Sequence, residues 1–180
     1  MRAPVDAGRL RAFLEELSHA ARESTRLYLT GGASQLLRGL RDSTIDIDLT
    51  FEPEDDGLLR SMVGLKETLS LNVEIVSPAH FVPPLPGWRD RSEFALQVGR
   101  LAVFHYDPYT QALAKLERGH ARDLEDIRAL VDGGIVDPAR LRSLFAEVQT
   151  DLFRYPAIDP KSLAAAVDRL AAAGGGSETR

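Results

Sequence analysis

The stretch that decides the fold is residues 31–51, which read GGASQLLRGLRDSTIDIDLTF. Its last seven side chains alternate between apolar and polar, and this two-residue period predicts a half-buried strand over 45–51. Asp46 and Asp48 fall on the polar face of that strand, while the apolar side chains face the core. The double glycine at the start of the stretch separates a second predicted strand, over 27–30, from the helix that follows.

The rest of the chain is predicted to be mixed first and helical afterwards. Helices are predicted over 6–22, from about 33 or 34 to 40, and over 56–69, and further strands over 71–76, 94–98 and 101–105. Three Asp-Pro pairs each place an N-cap acceptor ahead of a proline suited to the first helical turn; they begin at Asp107, Asp137 and Asp159. We therefore predict an α+β fold with a short mixed sheet. Its body covers 1–105, a helical region over 106–172 packs on it, and a flexible tail covers 173–180.

The composition indicates an ordinary globular protein of one-domain size. The chain has 180 residues, of which 44% are hydrophobic, and its formal net charge is −5. It has no cysteine, which excludes disulfides, zinc–thiolate sites and thiol catalysis and favours the cytoplasm. No apolar run approaches the roughly 20 residues of a membrane span, and the N-terminus lacks the apolar segment of a signal peptide. The acidic charge disfavours a protein that wraps nucleic acid, although a local arginine patch is compatible with it.

Carboxylates on neighbouring strands suggest a cation site. Two carboxylates at positions i and i+2 of a strand, here Asp46 and Asp48, lie about 7 Å apart and repel each other unless a cation lies between them. Mg²⁺ suits such a site, because it binds one or two carboxylates together with substrate phosphates and water. Glu74 lies on the polar face of the strand predicted over 71–76, with Asn72. If the two strands are neighbours in register, Glu74 completes a site of three carboxylates.

The double glycine is followed by a helix start, which is an arrangement suited to phosphate. Gly31 and Gly32 remove side-chain bulk and let backbone amides approach an anion closely, and Ser34 adds a hydroxyl. The helix N-terminus adds the positive end of its dipole. The alternative is a simple tight turn. Followed by Asp-x-Asp a dozen residues later, the glycine turn is the layout expected for binding a nucleoside triphosphate with its metal.

Five segments carry the pattern of a known family. They read Gly-Gly-Ala-Ser at 31–34 with Arg-Asp-Ser-Thr-Ile-Asp-Ile-Asp-Leu at 41–49, Leu-Asn-Val-Glu-Ile-Val-Ser at 71–77, and Gln-Ala-Leu-Ala-Lys-Leu at 111–116 with Arg-Asp-Leu-Glu-Asp-Ile at 122–127. With them the chain resembles the polymerase-β-like nucleotidyltransferase superfamily, and within it the AbiEii-like toxins of type IV toxin–antitoxin pairs. The resemblance implies a nucleotidyltransferase core over 1–105. The family's motif has glycine and serine adjacent, whereas Ala33 separates them here.

The resemblance also implies roles for individual residues. Asp46 and Asp48 would bind the metal, and Glu74 would be the third carboxylate. The cofactor implied is Mg²⁺, with two ions bound together with the nucleoside triphosphate. Gly31, Gly32 and Ser34 would bind the triphosphate. Lys115 would contact the nucleotide, and Asp123 or Asp126 would match the acidic residue of the C-terminal motif. The implied reaction is in-line attack of an acceptor hydroxyl on the α-phosphate, with pyrophosphate leaving.

The partners implied are a nucleoside triphosphate, tRNA as the acceptor and a cognate antitoxin protein, with no membrane. Two other hypotheses remain: transfer to a protein or a small molecule such as an antibiotic, and an inactive fold that binds nucleotide or a partner. Intact Asp46, Asp48 and Glu74 argue against the inactive fold.

Several residues have structural alternatives to these roles. Lys115 could be a solvated lysine. Asp126, which shares a helix face with Asp123, could form a structural ion pair with Arg122 or anchor Lys115. The loop over 77–88 is either a lid or core cover. Four arginines could line an acceptor groove or be scattered surface charges; they are Arg38, Arg41, Arg89 and Arg91. The four histidines show no metal-ligand spacing and are expected to be structural or exposed; they are His19, His80, His105 and His120.

Overall fold

The computed structural model describes residues 3–174, and these divide into two units. The first unit contains the residues up to Ser77 together with Ser92–Tyr106. The second contains Pro78–Arg91 together with the residues from Asp107 on. The backbone therefore passes from one unit to the other three times.

The helices in chain order are α1 (Ala7–Ser18), α2 (Gly31–Leu37), α3 (Asp56–Thr68), α4 (Trp88–Arg91), α5 (Pro108–Arg118), α6 (Ala121–Asp132), α7 (Pro138–Val148) and α8 (Pro160–Gly174). The strands are β1 (Thr25–Thr30), β2 (Asp46–Glu52), β3 (Asn72–Ile75), β4 (Glu93–Val98) and β5 (Leu101–His105). Two short 3-10 helices cover Pro78–His80 and Gln149–Arg154. Among residues 3–174, no helix is long and apolar enough to cross a membrane.

The first unit is built on a five-stranded mixed sheet. The strand order is β3-β2-β1-β5-β4, with β1 parallel to β5, β2 parallel to β3, and the remaining neighbours antiparallel. The two-residue period predicted for β2 is confirmed, because Ile47, Leu49 and Phe51 are buried while the polar residues between them are half-buried. Sheet and helices together form the predicted α+β fold, an arrangement consistent with a nucleotidyltransferase core.

One face of that sheet and three helices form the hydrophobic core of the first unit. The side chains of α1 that recur at helical spacing are fully buried in it: Leu10, Phe13, Leu14 and Leu17. Their spacing puts them on one stripe of the helix, and removal of that stripe from water stabilises the packed helix. α1 contacts α2 and α3, and α2 contacts β1 and β2. The face of β2 that carries its aspartates lies opposite this core.

The second unit consists of helices, and the starts of α5, α7 and α8 agree with the three Asp-Pro pairs. The Asp107 side chain accepts the backbone N–H groups of residues 109 and 110, and Asp137 does the same for residues 139 and 140. Asp159 accepts the N–H of Lys161 and the hydroxyl of Ser162. Each cap satisfies amides that have no partner inside the helix, and the proline after the aspartate has no amide to satisfy.

Some predicted boundaries are wrong. The helix predicted over 6–22 ends at Ser18, because residues 20 and 21 donate to carbonyls three residues back and the last turn tightens. The second helix begins at Gly31 rather than near residue 33, since extended Thr30 is its N-cap and the first turn contains both glycines. The loop predicted over 77–88 contains a 3-10 helix and the start of α4. Of the tail predicted over 173–180, the first two residues belong to α8 and the rest lie outside the described residues.

Candidate active site

The strand register brings the three predicted metal-binding carboxylates onto two adjoining strands. Asp48 is the register partner of Glu74 on β3 and of Thr30 on β1. Side chains of register partners point to the same face of a sheet. The condition set for Glu74, that its strand be a neighbour in register, is therefore met. Glu74 is exposed, whereas Asp46 and Asp48 are half-buried.

Asp46 has an amide partner on the neighbouring strand. It is the register partner of Asn72, and the Asn72 Nδ2 donates to Asp46 Oδ1 over 2.5 Å. This bond holds the Asp46 carboxylate on the polar face of the sheet. Within residues 3–174, no three Asp, Glu or His side chains are arranged to hold a metal ion. The three-carboxylate metal site therefore stays a prediction.

The glycine turn lies directly against the second aspartate. Gly31 has a φ of +55°, and a Cβ on it would lie 2.9 Å from Asp48 Oδ2. A Cβ on Gly32 would overlap Thr44 Oγ1 and lie 3.2 Å from a guanidinium nitrogen of Arg41. Glycine is required at both positions because α2 begins against these side chains. The predicted phosphate turn and a predicted metal ligand are thus neighbours.

Ser34 is buried beneath that turn. It is 1% exposed, and its Oγ lies 3.0 Å from Nδ1 of His105. The bond joins the fourth residue of α2 to the last residue of β5. The hydroxyl that the sequence assigned to phosphate therefore has a partner on the core side of the helix, and its phosphate contact stays a prediction.

The environment of His105 keeps its ring neutral. The side chain is buried, and burial, followed by the positive charge of Arg38, lowers the pKa of His105 to about 4. Glu93, the register partner of His105 on β4, acts in the opposite direction. Arg38 itself donates to Glu93 over 2.7 Å. A polar cluster therefore lies beside the C-terminal half of α2; its members are Ser34, Arg38, Glu93 and His105.

Sequence reasoning placed His105 only among residues expected to be structural or exposed, and it did not connect the ring with Ser34. The alternation of β5 could have indicated that His105 is buried. Leu101 and Val103 are buried on one face of β5, and His105 continues that alternation. A histidine on the apolar face of a strand needs a polar partner in the core.

In the second unit, Lys115 is held by two aspartates. Its Nζ lies 3.2 Å from Asp123 Oδ1 and 2.6 Å from Asp126 Oδ2, and all three side chains are buried. Arg118 adds a contact of 2.7 Å to Asp123. The alternative of a solvated lysine is therefore wrong, because Lys115 lies on the side of α5 that faces Asp123 and Asp126 of α6. The alternative that Asp126 anchors Lys115 is confirmed, and the catalytic roles of Lys115 and Asp123 stay predictions.

Two of the four arginines suggested for an acceptor groove bind acidic side chains. Arg38 pairs with Glu93, and Arg91 binds the fully buried Asp107 through Nε at 3.0 Å and Nη2 at 2.8 Å. Arg91 also donates to the Pro86 carbonyl over 2.6 Å. The Arg89 guanidinium stacks on the ring of the neighbouring tryptophan, 4.5 Å from the ring centre.

The fold is consistent with a nucleotidyltransferase core, because it has a five-stranded mixed sheet with flanking helices. The carboxylates beside the glycine turn are consistent with it too. The chain belongs to the family described as "Nucleotidyltransferase of unknown function (DUF6036)", whose model matches residues 8–159. This membership supports nucleotidyl transfer in general. Searches of curated proteins and of solved structures found no match.

Proposed function

We propose that this protein is a Mg²⁺-dependent nucleotidyltransferase that moves a nucleoside monophosphate from a nucleoside triphosphate to an acceptor hydroxyl. One observation supports the proposal most: Asp48 lies against the glycine turn at Gly31 and is the register partner of Glu74. A helix start without side chains and a pair of carboxylates thus meet at one place in the first unit.

The donor chemistry of this place fits magnesium. Asp46, Asp48 and Glu74 offer only hard oxygen ligands, and Mg²⁺ prefers one or two carboxylates completed by phosphate oxygens and water. These three residues would hold the metal, whose charge would stabilise the attacking and leaving oxygens. The amide of Asn72 fixes the orientation of the Asp46 carboxylate before substrate arrives.

The chain's own residues position and activate the reactants. Gly31 and Gly32 let the backbone of the first turn of α2 lie against Asp48, Thr44 and Arg41, and the triphosphate would bind beside these side chains. The acceptor oxygen forms a bond to the α-phosphorus while the bond from that phosphorus to the bridging oxygen breaks, and pyrophosphate leaves. Glu74, which is exposed, takes the proton of the acceptor hydroxyl. Such chemistry depends mainly on positioning and charge.

In the second unit, Lys115 and Asp123 are proposed for the nucleotide on the resemblance to the AbiEii-like family. The Lys115 ammonium is buried between Asp123 and Asp126, so this role rests on the resemblance alone.

The acceptor proposed first is tRNA, which would make the protein the toxin of a toxin–antitoxin pair with a cognate antitoxin as its partner. The net charge of −5 favours a second candidate, a protein hydroxyl or a small molecule such as an antibiotic. An acidic protein gains little from the phosphate backbone of RNA unless basic residues are clustered.

A labelling experiment tests the reaction. Purified protein is incubated with each nucleoside triphosphate labelled at the α-phosphate, Mg²⁺, and either total tRNA, cell protein or aminoglycoside antibiotics. We expect label in one acceptor fraction, and its loss with EDTA or in Asp48→Asn. Asp42→Asn, an exposed aspartate of the same unit, is the matched control and should label normally. Absence of label from every acceptor, or full labelling by Asp48→Asn with an intact fold, would overturn the proposal.

A further inference from the structure

We propose that His105 is a positioning residue for the nucleotide: through its bond to Ser34 it sets the rotation of α2 and so directs the Gly31–Gly32 turn at the triphosphate. This inference rests on the proposed nucleotidyl transfer and assigns a part in it to a buried group of the sheet.

The helix that carries the glycine turn is short. α2 has seven residues, too few for a helix to be stable by itself, so its orientation depends on contacts with its surroundings. Ser34 lies three positions after Gly31, which puts the two residues on the same side of the helix one turn apart. A bond from Ser34 to the end of β5 therefore fixes the rotation of the turn that begins at Gly31.

The bond between Ser34 and His105 does not depend on the protonation of one particular ring nitrogen. A hydroxyl both donates and accepts, so the contact between Ser34 Oγ and His105 Nδ1 survives in either tautomer of the ring. The charged groups facing the ring are Arg38, at the C-terminal end of α2, and Glu93, on β4, and these two are paired with each other over 2.7 Å. Burial keeps the ring neutral near pH 7, so it acts as a hydrogen-bonding group rather than as a charge.

The pair of Ser34 and His105 occupies a part of the core where aliphatic side chains also pack. Leu101 and Val103 show that the same face of β5 accepts aliphatic side chains in the core. Replacing a buried hydrogen-bonded pair by apolar groups of similar shape is nearly neutral for stability. Core packing alone therefore gives little reason for a histidine here, whereas a directional bond to the helix that carries the glycine turn does.

Nucleotide kinetics of two substitutions at this position test the inference. His105→Leu removes the bond, and His105→Asn keeps a polar group near the position of Nδ1. We expect His105→Leu to raise KM for the nucleoside triphosphate about tenfold with kcat within about threefold, because ground-state positioning is lost. His105→Asn should return KM to within about threefold of the wild type. Thr25→Val is the matched control and should leave KM unchanged, because Thr25 is a buried polar residue at the end of β1 that lies away from the glycine turn.

A double-mutant cycle separates positioning from general destabilisation. If His105 acts through Ser34, the His105→Leu change should add nothing to KM once Ser34→Ala is present. Additive effects, or equal KM values for His105→Leu and wild type, would overturn the inference. Should His105→Leu fail to fold, His105→Ala takes its place in the cycle, because it also removes the bond to Ser34, and the same criteria apply. A wild-type protein that neither labels an acceptor nor binds nucleotide with Mg²⁺ in calorimetry would overturn the proposed function and this inference together.

Discussion

Gly31 and Asp48 are in such close contact that a methyl group on the glycine would lie 2.9 Å from Oδ2 of the aspartate. The contact joins the first residue of α2 to the middle of β2, which are 17 positions apart in the sequence. It explains why the chain has no side chain at Gly31, and it makes this position a direct test of the candidate site.

Gly31→Ala should therefore both destabilise the protein and abolish nucleotidyl transfer. The positive φ costs an alanine about 1–2 kcal/mol, and the new methyl displaces the Asp48 carboxylate. Gly39→Ala is the matched control, because Gly39 has a φ of +73° and no atom lies within 4 Å of the place where a Cβ would be. It should lose similar free energy of unfolding in urea and keep its activity. Equal activity in both variants would contradict a site at this contact.

His105 should make the stability of the protein depend on pH. The pKa of His105 is lowered from 6.5 to about 4 on folding, so the unfolded chain binds a proton that the folded one refuses. The free energy of unfolding should fall as pH drops from 6.5 towards 4, and His105 should contribute about 2 kcal/mol of loss between pH 7 and pH 5. Urea unfolding of the wild type and His105→Asn at both pH values measures this difference. His19→Asn, at an exposed histidine, should behave like the wild type.

Lys115→Met should destabilise the second unit strongly. The change leaves Asp123 and Asp126 buried without the ammonium between them, and an uncompensated buried charge costs about 3–5 kcal/mol. Thermal unfolding should show this loss, whereas Lys161→Met, at an exposed lysine, should change stability little. A Lys115→Met protein as stable as the wild type would contradict a buried ion cluster.

Arg91→Lys should be nearly as damaging as Arg91→Ala. Arg91 binds both oxygens of Asp107, and a lysine ammonium cannot reproduce that two-point geometry. Because Asp107 also caps α5, we expect a loss of about 3 kcal/mol in the free energy of unfolding. Arg89→Ala, which removes an exposed stacking contact, should cost less than about 1 kcal/mol. Full stability of Arg91→Lys would show that the two-point contact contributes little.

The sequence specified local structure well because local rules act over a few residues. The alternation of β2 placed Asp46 and Asp48 on one face, and the Asp-Pro pairs located the starts of α5, α7 and α8. Helix ends were less accurate, as at Ser18, because the choice between another turn and a tightened end depends on where the chain must go next.

Long-range relations could only be stated as conditions. The pairing of Glu74 with Asp48 required two strands to be neighbours, and no local pattern decides that. Ser34 and His105 are 71 positions apart, so the serine could be assigned to phosphate on its motif while its partner went unnoticed. The burial of Lys115 likewise depended on how α5 packs against α6, which an isolated lysine in the sequence does not reveal.

The central strand β1 has a consequence for how the chain matures. Its neighbours are β2, which follows closely, and β5, which is synthesised some 70 residues later. Until residue 105 has left the ribosome, one edge of β1 has no partner, and an open apolar edge is where nascent chains associate wrongly. A fragment that stops at Ser77 would keep this edge permanently, so a truncated version for expression has to extend through Tyr106.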